Sequence, residues 1–366
     1  MSNKPLTIKT PGKLMIAGEF AVLEPHHQLA VMAVDRFVYT TLEDHHDNRL
    51  TLENFNLNHV AWSFENGRVN VHTNDVRVRF VEEAMTIALT YLKESKISLD
   101  SFSLTVRSEL DDESGKKYGL GSSAAVVTSV IYAILKKYMT TQPSTTLLFK
   151  LASIAHVNVQ GNGSGADVAA SAHGGVLQYA SFQADWLQKQ YHEAKSLSDV
   201  VEKEWTYFMA RPLKLPQNVH ICIGWTGKPA STSQLVDKVL TLKQQEPATF
   251  DSFLSASKEG VTNFFKGMKE ENLPLLFKGV KQNRQALATV GKHAQADLET
   301  PLLRKLCDLA VQYGGAGKQS GAGGGDCGIA FMPSEESVEQ LKQAWIHAGI
   351  QPLDLKVSED GTVLIE

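Results

Sequence analysis

KYGLGSSAAVV, Lys117 to Val127, sets a glycine pair and two serines directly ahead of an apolar run. That is the pattern of a loop closing into a helix N-terminus. The first turn of such a helix carries backbone N–H groups without intrahelical acceptors, and the helix dipole adds partial positive charge there, so an anion is stabilised at that end. Glycine lets the backbone come close to a ligand that any Cβ would hold away. Gly119, Leu120, Gly121, Ser122, Ser123 and Ala124 therefore form a candidate polyphosphate cradle, with Lys117 beside it. Ser122 or Ser123 is expected to cap the helix SSAAVVTSVIYAILKKYM, and the Ser123 hydroxyl is a candidate ligand for a phosphate-bound Mg2+.

Two better-known phosphate motifs do not fit. GLGSSA has the G-x-G-x-x-A form of a dinucleotide fingerprint, but it follows the charged stretch DDESGKKY rather than an apolar strand. It also lacks an acidic residue about twenty positions on, where a ribose would be held. Gly317-Lys318 is followed by Gln319 where a P-loop needs Ser or Thr, and Gln312 stands where its first glycine belongs. By itself the loop fits equally a turn that merely starts a packed helix.

Two further segments decide between these readings. PGKLMIAGEFAVLEP covers Pro11 to Pro25, and KQSGAGGGDCGIA covers Lys318 to Ala330; eight of the chain's 27 glycines fall between Gly314 and Gly328. The three segments in this order resemble the GHMP kinase superfamily, which includes galactokinase, homoserine kinase, mevalonate kinase and phosphomevalonate kinase, and the resemblance runs from about Leu6 to the C-terminus. It implies an α+β, two-domain GHMP kinase-like fold with the active site in the inter-domain cleft. It also implies ATP as phosphoryl donor, with Mg2+. Lys13, in the PGK triplet, matches the family lysine near the transferring phosphoryl group and the acceptor oxygen. Asp167, in GNGSGADVAAS, matches the aspartate that accepts or orients the acceptor proton, and Ser164 of the same motif falls among the substrate-binding positions. Without the resemblance, Lys13 reads equally as a surface lysine after a turn, and Asp167 as a helix cap.

Finer features are most similar to the phosphomevalonate kinase branch. GEFAVLEP carries an aromatic residue, Phe20, after Gly-Glu; Tyr is more frequent there in that branch, and His is usual in mevalonate kinases. GWTGKPAST, Gly224 to Thr232, and QGNGSGADVAAS also resemble segments of that branch. An acceptor that already bears a phosphate needs extra cationic and N–H capacity, for which Lys228, Lys117 and the Ser320, Gly321 and Ala322 backbone are candidates. A mevalonate kinase, or a nucleotide sensor of the same fold without turnover, is the alternative.

Composition agrees. The 366 residues, 43% of them hydrophobic, suffice for two domains with large cores, and the net charge of −4 argues against a nucleic-acid partner. Cys222, Cys307 and Cys327 are far apart and odd in number, as expected of reduced thiols in the cytoplasm, and Cys327 reads as a buried small residue rather than a nucleophile. Lys4, Pro5 and Lys9 interrupt any signal-peptide core, and no run is long enough for a membrane partner. The chain is compatible with acting alone or as a homodimer. His26-His27 and His45-His46 read as solvated loop residues with no carboxylate or thiol at ligand spacing.

Strands are expected over Leu29–Glu43, around Phe102, Leu104 and Val106, and over Cys327–Met332, with terminal strands near Leu353 and Val363. Helices are expected over Asp75–Glu94 with Asn74 as cap, and over Thr145–Gln160, Ser231–Gln245, Phe250–Met268, Pro274–His293, Thr300–Tyr313 and Glu335–Ala348. The polar stretch Gln183 to Ser198 is the expected boundary region. It divides residues 1–190, holding the nucleotide and catalytic motifs, from a ferredoxin-like unit at 191–366.

Overall fold

The computed structural model describes residues 4–111, 117–228 and 232–365. Most of the charged stretch before the glycine loop, Asp112 to Lys116, and the expected helix start at Ser231 lie outside the described residues.

Strands β1 (Leu6–Ala17), β2 (Gln28–Asp44), β3 (Arg49–Leu52), β4 (Leu57–Glu65) and β5 (Arg68–Val71) precede helix α1 (Arg79–Glu94) and strand β6 (Phe102–Ser108). Then follow α2 (Ser122–Tyr138), α3 (Thr145–Gln160), α4 (Ala166–His173), β7 (Val176–Ala180), α5 (Ala184–Glu193), α6 (Leu197–Glu202) and β8 (Met209–Leu213). These eight strands, with a ninth from the end of the second half, form one nine-stranded sheet, in which β7 joins β2 to β8 beside the path β1-β2-β6-β3-β4-β5. Helix α2 is buried along nearly its whole length from Ala124 to Leu135, which explains an apolar run too continuous for an amphipathic surface helix. It fills the layer between the sheet and α1 and α3.

The second half begins with β9 (His220–Trp225) and four helices, α7 (Thr232–Gln245), α8 (Pro247–Lys269), α9 (Leu273–His293) and α10 (Pro301–Gln312). It continues through β10 (Ala316–Gln319), β11 (Cys327–Met332), α11 (Glu335–His347) and β12 (Gln351–Leu353). The order β10-β11-β9-β12, all antiparallel, is a ferredoxin-like arrangement. The chain then returns to the first sheet: Val34 bridges Val357, and β13 (Val363–Leu364) pairs with β1 through Ile8 and Lys9.

Several local expectations need correction. Gln183 to Ser198 is not a linker; it folds into α5 and the start of α6, because Leu187, Leu197 and Val200 are buried and Ser196 and Asp199 close a capping box. Sheet membership changes between Leu213 and His220, later than residue 190, since β8 still pairs with β7. Asp75 rather than Asn74 accepts the first turn's N–H, from Arg77, and a 3-10 turn over Val76–Val78 leads into α1. No helix among the described residues is long and apolar enough to cross a membrane.

Candidate active site

The register of β1 against β2 shifts between Pro11 and Gly12, and Lys13 follows at once. Its backbone N–H donates to the Leu120 carbonyl at 2.8 Å and its Nζ to the Gly119 carbonyl at 3.0 Å, so β1 and the glycine loop are joined at the base of a cavity of about 410 Å3. Gly119 and Gly121 both have positive φ, +82° and +76°. A Cβ on Gly119 would lie 2.7 Å from the Asp326 carboxyl, and one on Gly121 would lie 2.9 Å from the Lys13 side chain. The loop needs glycine for its conformation and for these approaches together. Gly121 itself is the N-cap of α2, in the left-handed region and with no side-chain cap bond; neither Ser122 nor Ser123 caps, and both lie in the helix's first turn.

Facing that loop is the first turn of α4. Asp167 Oδ1 accepts the Val168 N–H at 2.9 Å, and its side chain is one-fifth exposed, toward the cavity it lines. Ser164 lines the same cavity; its Oγ accepts the Ala166 N–H, while its carbonyl accepts the Tyr179 hydroxyl. Burial beside the Asp167 carboxylate pushes the Tyr179 phenol far up, so it stays a donor. The third wall is the loop after β10. Ser320 Oγ donates to the Met15 carbonyl at 2.8 Å, and a Cβ on Gly321 would meet nothing within 4 Å; the expected anion nest needs correction, because the Ser320 N–H is already donated to the Cys327 carbonyl at 2.9 Å and the Gly321 N–H to Glu19 Oε1 at 3.2 Å.

The cavity thus gathers Lys13, Lys117, Gly119, Leu120, Gly121, Ser122, Ser123, Ser164, Asp167, Ser320, Gly321 and Ala322. Two expected residues stand apart. Ala124 is fully buried behind the loop, and Lys228 is exposed and outside the lining, contributing its carbonyl to the Asp326 N–H at 2.7 Å.

Family models match twice: the GHMP kinases N terminal domain over residues 80–175 and the GHMP kinases C terminal domain over 264–351. The phosphomevalonate kinase of Streptomyces sp. (strain CL190) is 30% identical over 364 residues, 96% of each chain. The chain belongs to the GHMP kinase family. Among solved structures, this GHMP kinase resembles the Streptococcus pneumoniae phosphomevalonate kinase in complex with phosphomevalonate and AMPPNP, with a TM-score of 0.84 and 28% identity over 96% of this chain and 99% of that one. It also resembles the Lin0012 protein of Listeria innocua, with a TM-score of 0.93 and 36% identity over 99% and 100%. Mevalonate kinases match at lower identity.

Three features of this GHMP kinase's site escaped the sequence reading. Glu19, 4% exposed, receives Lys318 Nζ and the Gly321 N–H on Oε1, while Oε2, also buried, has no hydrogen-bond partner among the described residues. Phe20 has φ 61° and ψ −48°, and the Ala21 N–H reaches back to the Glu19 carbonyl at 2.7 Å; this is a γ-turn of the strained hand at the cavity wall. Its ring sits in an apolar cluster with Phe250, Phe253, Leu287 and Val290, which anchors the turn to α8 and α9. His156, on α3, meets Ser123 and Asp167 from behind.

Outside the site, the reading of His45-His46 needs correction. Their rings stack at 4.2 Å, and Asp47 Oδ1 lies 2.6 Å from His45 Nδ1 and 3.4 Å from His46 Nε2, which is metal-ligand spacing. The Arg49 guanidinium already takes the other oxygen of Asp47 and, as the largest cause, holds its carboxyl below the usual range. Cys327 is buried with its Sγ against the Tyr118 carbonyl, and burial pushes its thiol well up, which leaves no thiolate for chemistry.

Proposed function

We propose that this GHMP kinase is a phosphomevalonate kinase, transferring the γ-phosphoryl group of ATP to the phosphate of (R)-5-phosphomevalonate and releasing ADP and 5-diphosphomevalonate in the mevalonate route to isoprenoids. The observation that carries the reading is one cavity walled by two glycine-rich loops, with Lys13 and Asp167 between them. The loop ahead of α2 suits the donor's phosphates, and Lys117 beside it suits an acceptor that is itself anionic. The Streptococcus pneumoniae phosphomevalonate kinase of the same fold was solved in complex with phosphomevalonate and AMPPNP.

In the transfer, an acceptor phosphate oxygen bonds to the γ-phosphorus while the bond to the β–γ bridging oxygen breaks. Lys13 supplies positive charge where negative charge builds on the γ-phosphoryl oxygens. The acceptor is mostly deprotonated near neutral pH, its second pKa being about 6, so Asp167 acts by orienting the groups around it more than by removing a proton. The cavity offers hard oxygen donors, the Ser123 hydroxyl among them, and these suit Mg2+. Ser123 is the proposed ligand, and the ion would neutralise charge on the donor phosphates. The three cysteines are free and buried, which favours a cytoplasmic setting.

The test is a coupled ADP-release assay with both acceptors. Phosphomevalonate should be turned over and mevalonate poorly, since Lys117 at the cavity wall loses its charge partner when the acceptor lacks the phosphate. A preference for mevalonate would reassign the enzyme to the neighbouring step, and nucleotide binding without ADP release from either would make it a sensor.

A further inference from the structure

His156 projects from α3 into the gap behind the cavity, where the N-termini of α2 and α4 converge. The ring is 2% exposed and stacks on Phe80 at a centroid distance of 5.4 Å. Nε2 lies 3.1 Å from Ser123 Oγ and 3.8 Å from Asp167 Oδ2. One imidazole nitrogen therefore addresses the proposed metal ligand and the proposed orienting carboxylate at once.

We infer that His156 is a positioning residue, whose Nε2–H fixes the Ser123 hydroxyl and the Asp167 carboxylate relative to each other; the inference rests on the kinase reading above. The direction of the bond follows from electrostatics. A bare Nε2 would set its lone pair against a carboxylate oxygen in a buried site, whereas an N–H there places positive charge between two oxygens. Ser123 Oγ is then the acceptor, and its own hydrogen and remaining lone pair are left for groups in the cavity. Asp167 Oδ1 accepts the Val168 N–H, and Oδ2 faces the imidazole at 3.8 Å, beyond hydrogen-bond length but close enough for electrostatic attraction to an N–H.

The fold does not depend on this contact alone. Lys13 N–H fastens the loop ahead of α2, and Ser171 Oγ ties α4 to the Pro11 carbonyl at 2.8 Å. What His156 adds is the relation between two side chains on different helices, and small misplacements of reacting groups are costly in rate.

The experiment compares His156→Met with His156→Gln, side chains of similar length of which only Gln keeps a donor. With wild-type turnover of phosphomevalonate established, the Met variant should lose at least about tenfold in kcat while the KM for ATP moves less than about threefold, and Gln should recover most of the loss. In an Asp167→Asn background, His156→Met should cost less than about twofold more, because the residue acts through that carboxylate. Nitrogen NMR of the histidine-labelled wild type, which needs no turnover, should show the proton on Nε2. Full kcat in the Met variant, undiminished loss in the Asp167→Asn background, or a proton on Nδ1 alone would each overturn the inference. A Met variant that unfolds while Gln folds would assign the bond to the fold and overturn it too; if neither folds, the tautomer decides. A wild type that turns over neither acceptor sinks the kinase reading instead and leaves the tautomer result standing.

Discussion

Lys318 and Glu19, 299 residues apart, form a buried ion pair between the strand that leads into the C-terminal glycine loop and the turn that follows β1. Lys318 is fully buried, and its Nζ also donates to the Gln319 carbonyl. Because the same Glu19 oxygen accepts the Gly321 N–H at 3.2 Å, the pair fixes the height of the loop over the cavity. Removing one member of a buried pair strands the other charge and costs roughly 3–5 kcal/mol. Lys318→Met should therefore lower unfolding free energy by about that much in urea titration and raise the KM for the acceptor. A loss below about 1 kcal/mol with unchanged KM would show that water or a neighbouring group satisfies Glu19.

Lys13→Met should lower kcat by about two to four powers of ten while ATP affinity changes little, since the charge acts where transition-state charge develops. The Nζ bond to the Gly119 carbonyl is lost as well, so ATP affinity should be read separately by calorimetry. Near-normal turnover would remove Lys13 from the chemistry.

Gly121→Val places a β-branched residue at φ +76° and its Cβ against the Lys13 side chain. ATP binding should be abolished while far-UV circular dichroism stays native, because the damage falls on a loop and not on the core of α2. A folded variant with unchanged ATP affinity would contradict the phosphate-cradle assignment.

Much of this was legible along the chain. Helix α3 has the bounds that the sequence predicts because its signals are local: Ser144 accepts the Leu147 N–H at one end, and Gly161 stops it in the left-handed region at the other. The three glycine-rich segments marked the cavity for the same reason. The polar span that became α5 and α6 misled because each helix buries only one to three apolar side chains, too few for a periodic signal. The short strands β3 and β5 and the nine-residue β4 between them went unread. Glu19–Lys318 and His156–Ser123 were invisible because their meaning lies in contacts across 299 and 33 residues, and nothing in a lone Lys on a strand or a lone His on an apolar helix announces a partner.

The two lysines expected to meet the acceptor phosphate can now be told apart. Lys117 lines the cavity and Lys228 does not. Lys117→Met should cut kcat/KM for phosphomevalonate by at least about tenfold, the loss of one charge-assisted hydrogen bond, whereas Lys228→Met should change it less than about threefold. Equal losses would mean that the loop carrying Lys228 closes over the ligand.

Burial disfavours the thiolates, which pushes Cys222 up to about 11 and Cys307 up to about 12, against an ordinary value of 9.0. Above about pH 9 the unfolded chain releases protons that the folded chain retains, so folding stability should fall as pH rises beyond that point. The native protein should resist thiol reagents at pH 8, and rapid labelling of Cys307 there would show that α10 opens locally.

The pairing of β13 with β1 also governs the order of assembly. The strand that bears Lys13 is synthesised well before its outer neighbour, since Lys9 pairs with Val363. Until residues 355–365 have left the ribosome, β1 presents an open edge with unpaired N–H and C=O groups, a template for pairing with other chains. A nascent polypeptide can form the ferredoxin-like unit while the outer edge of β1 is still open, so protection of that edge from aggregation waits on the pairing of β13.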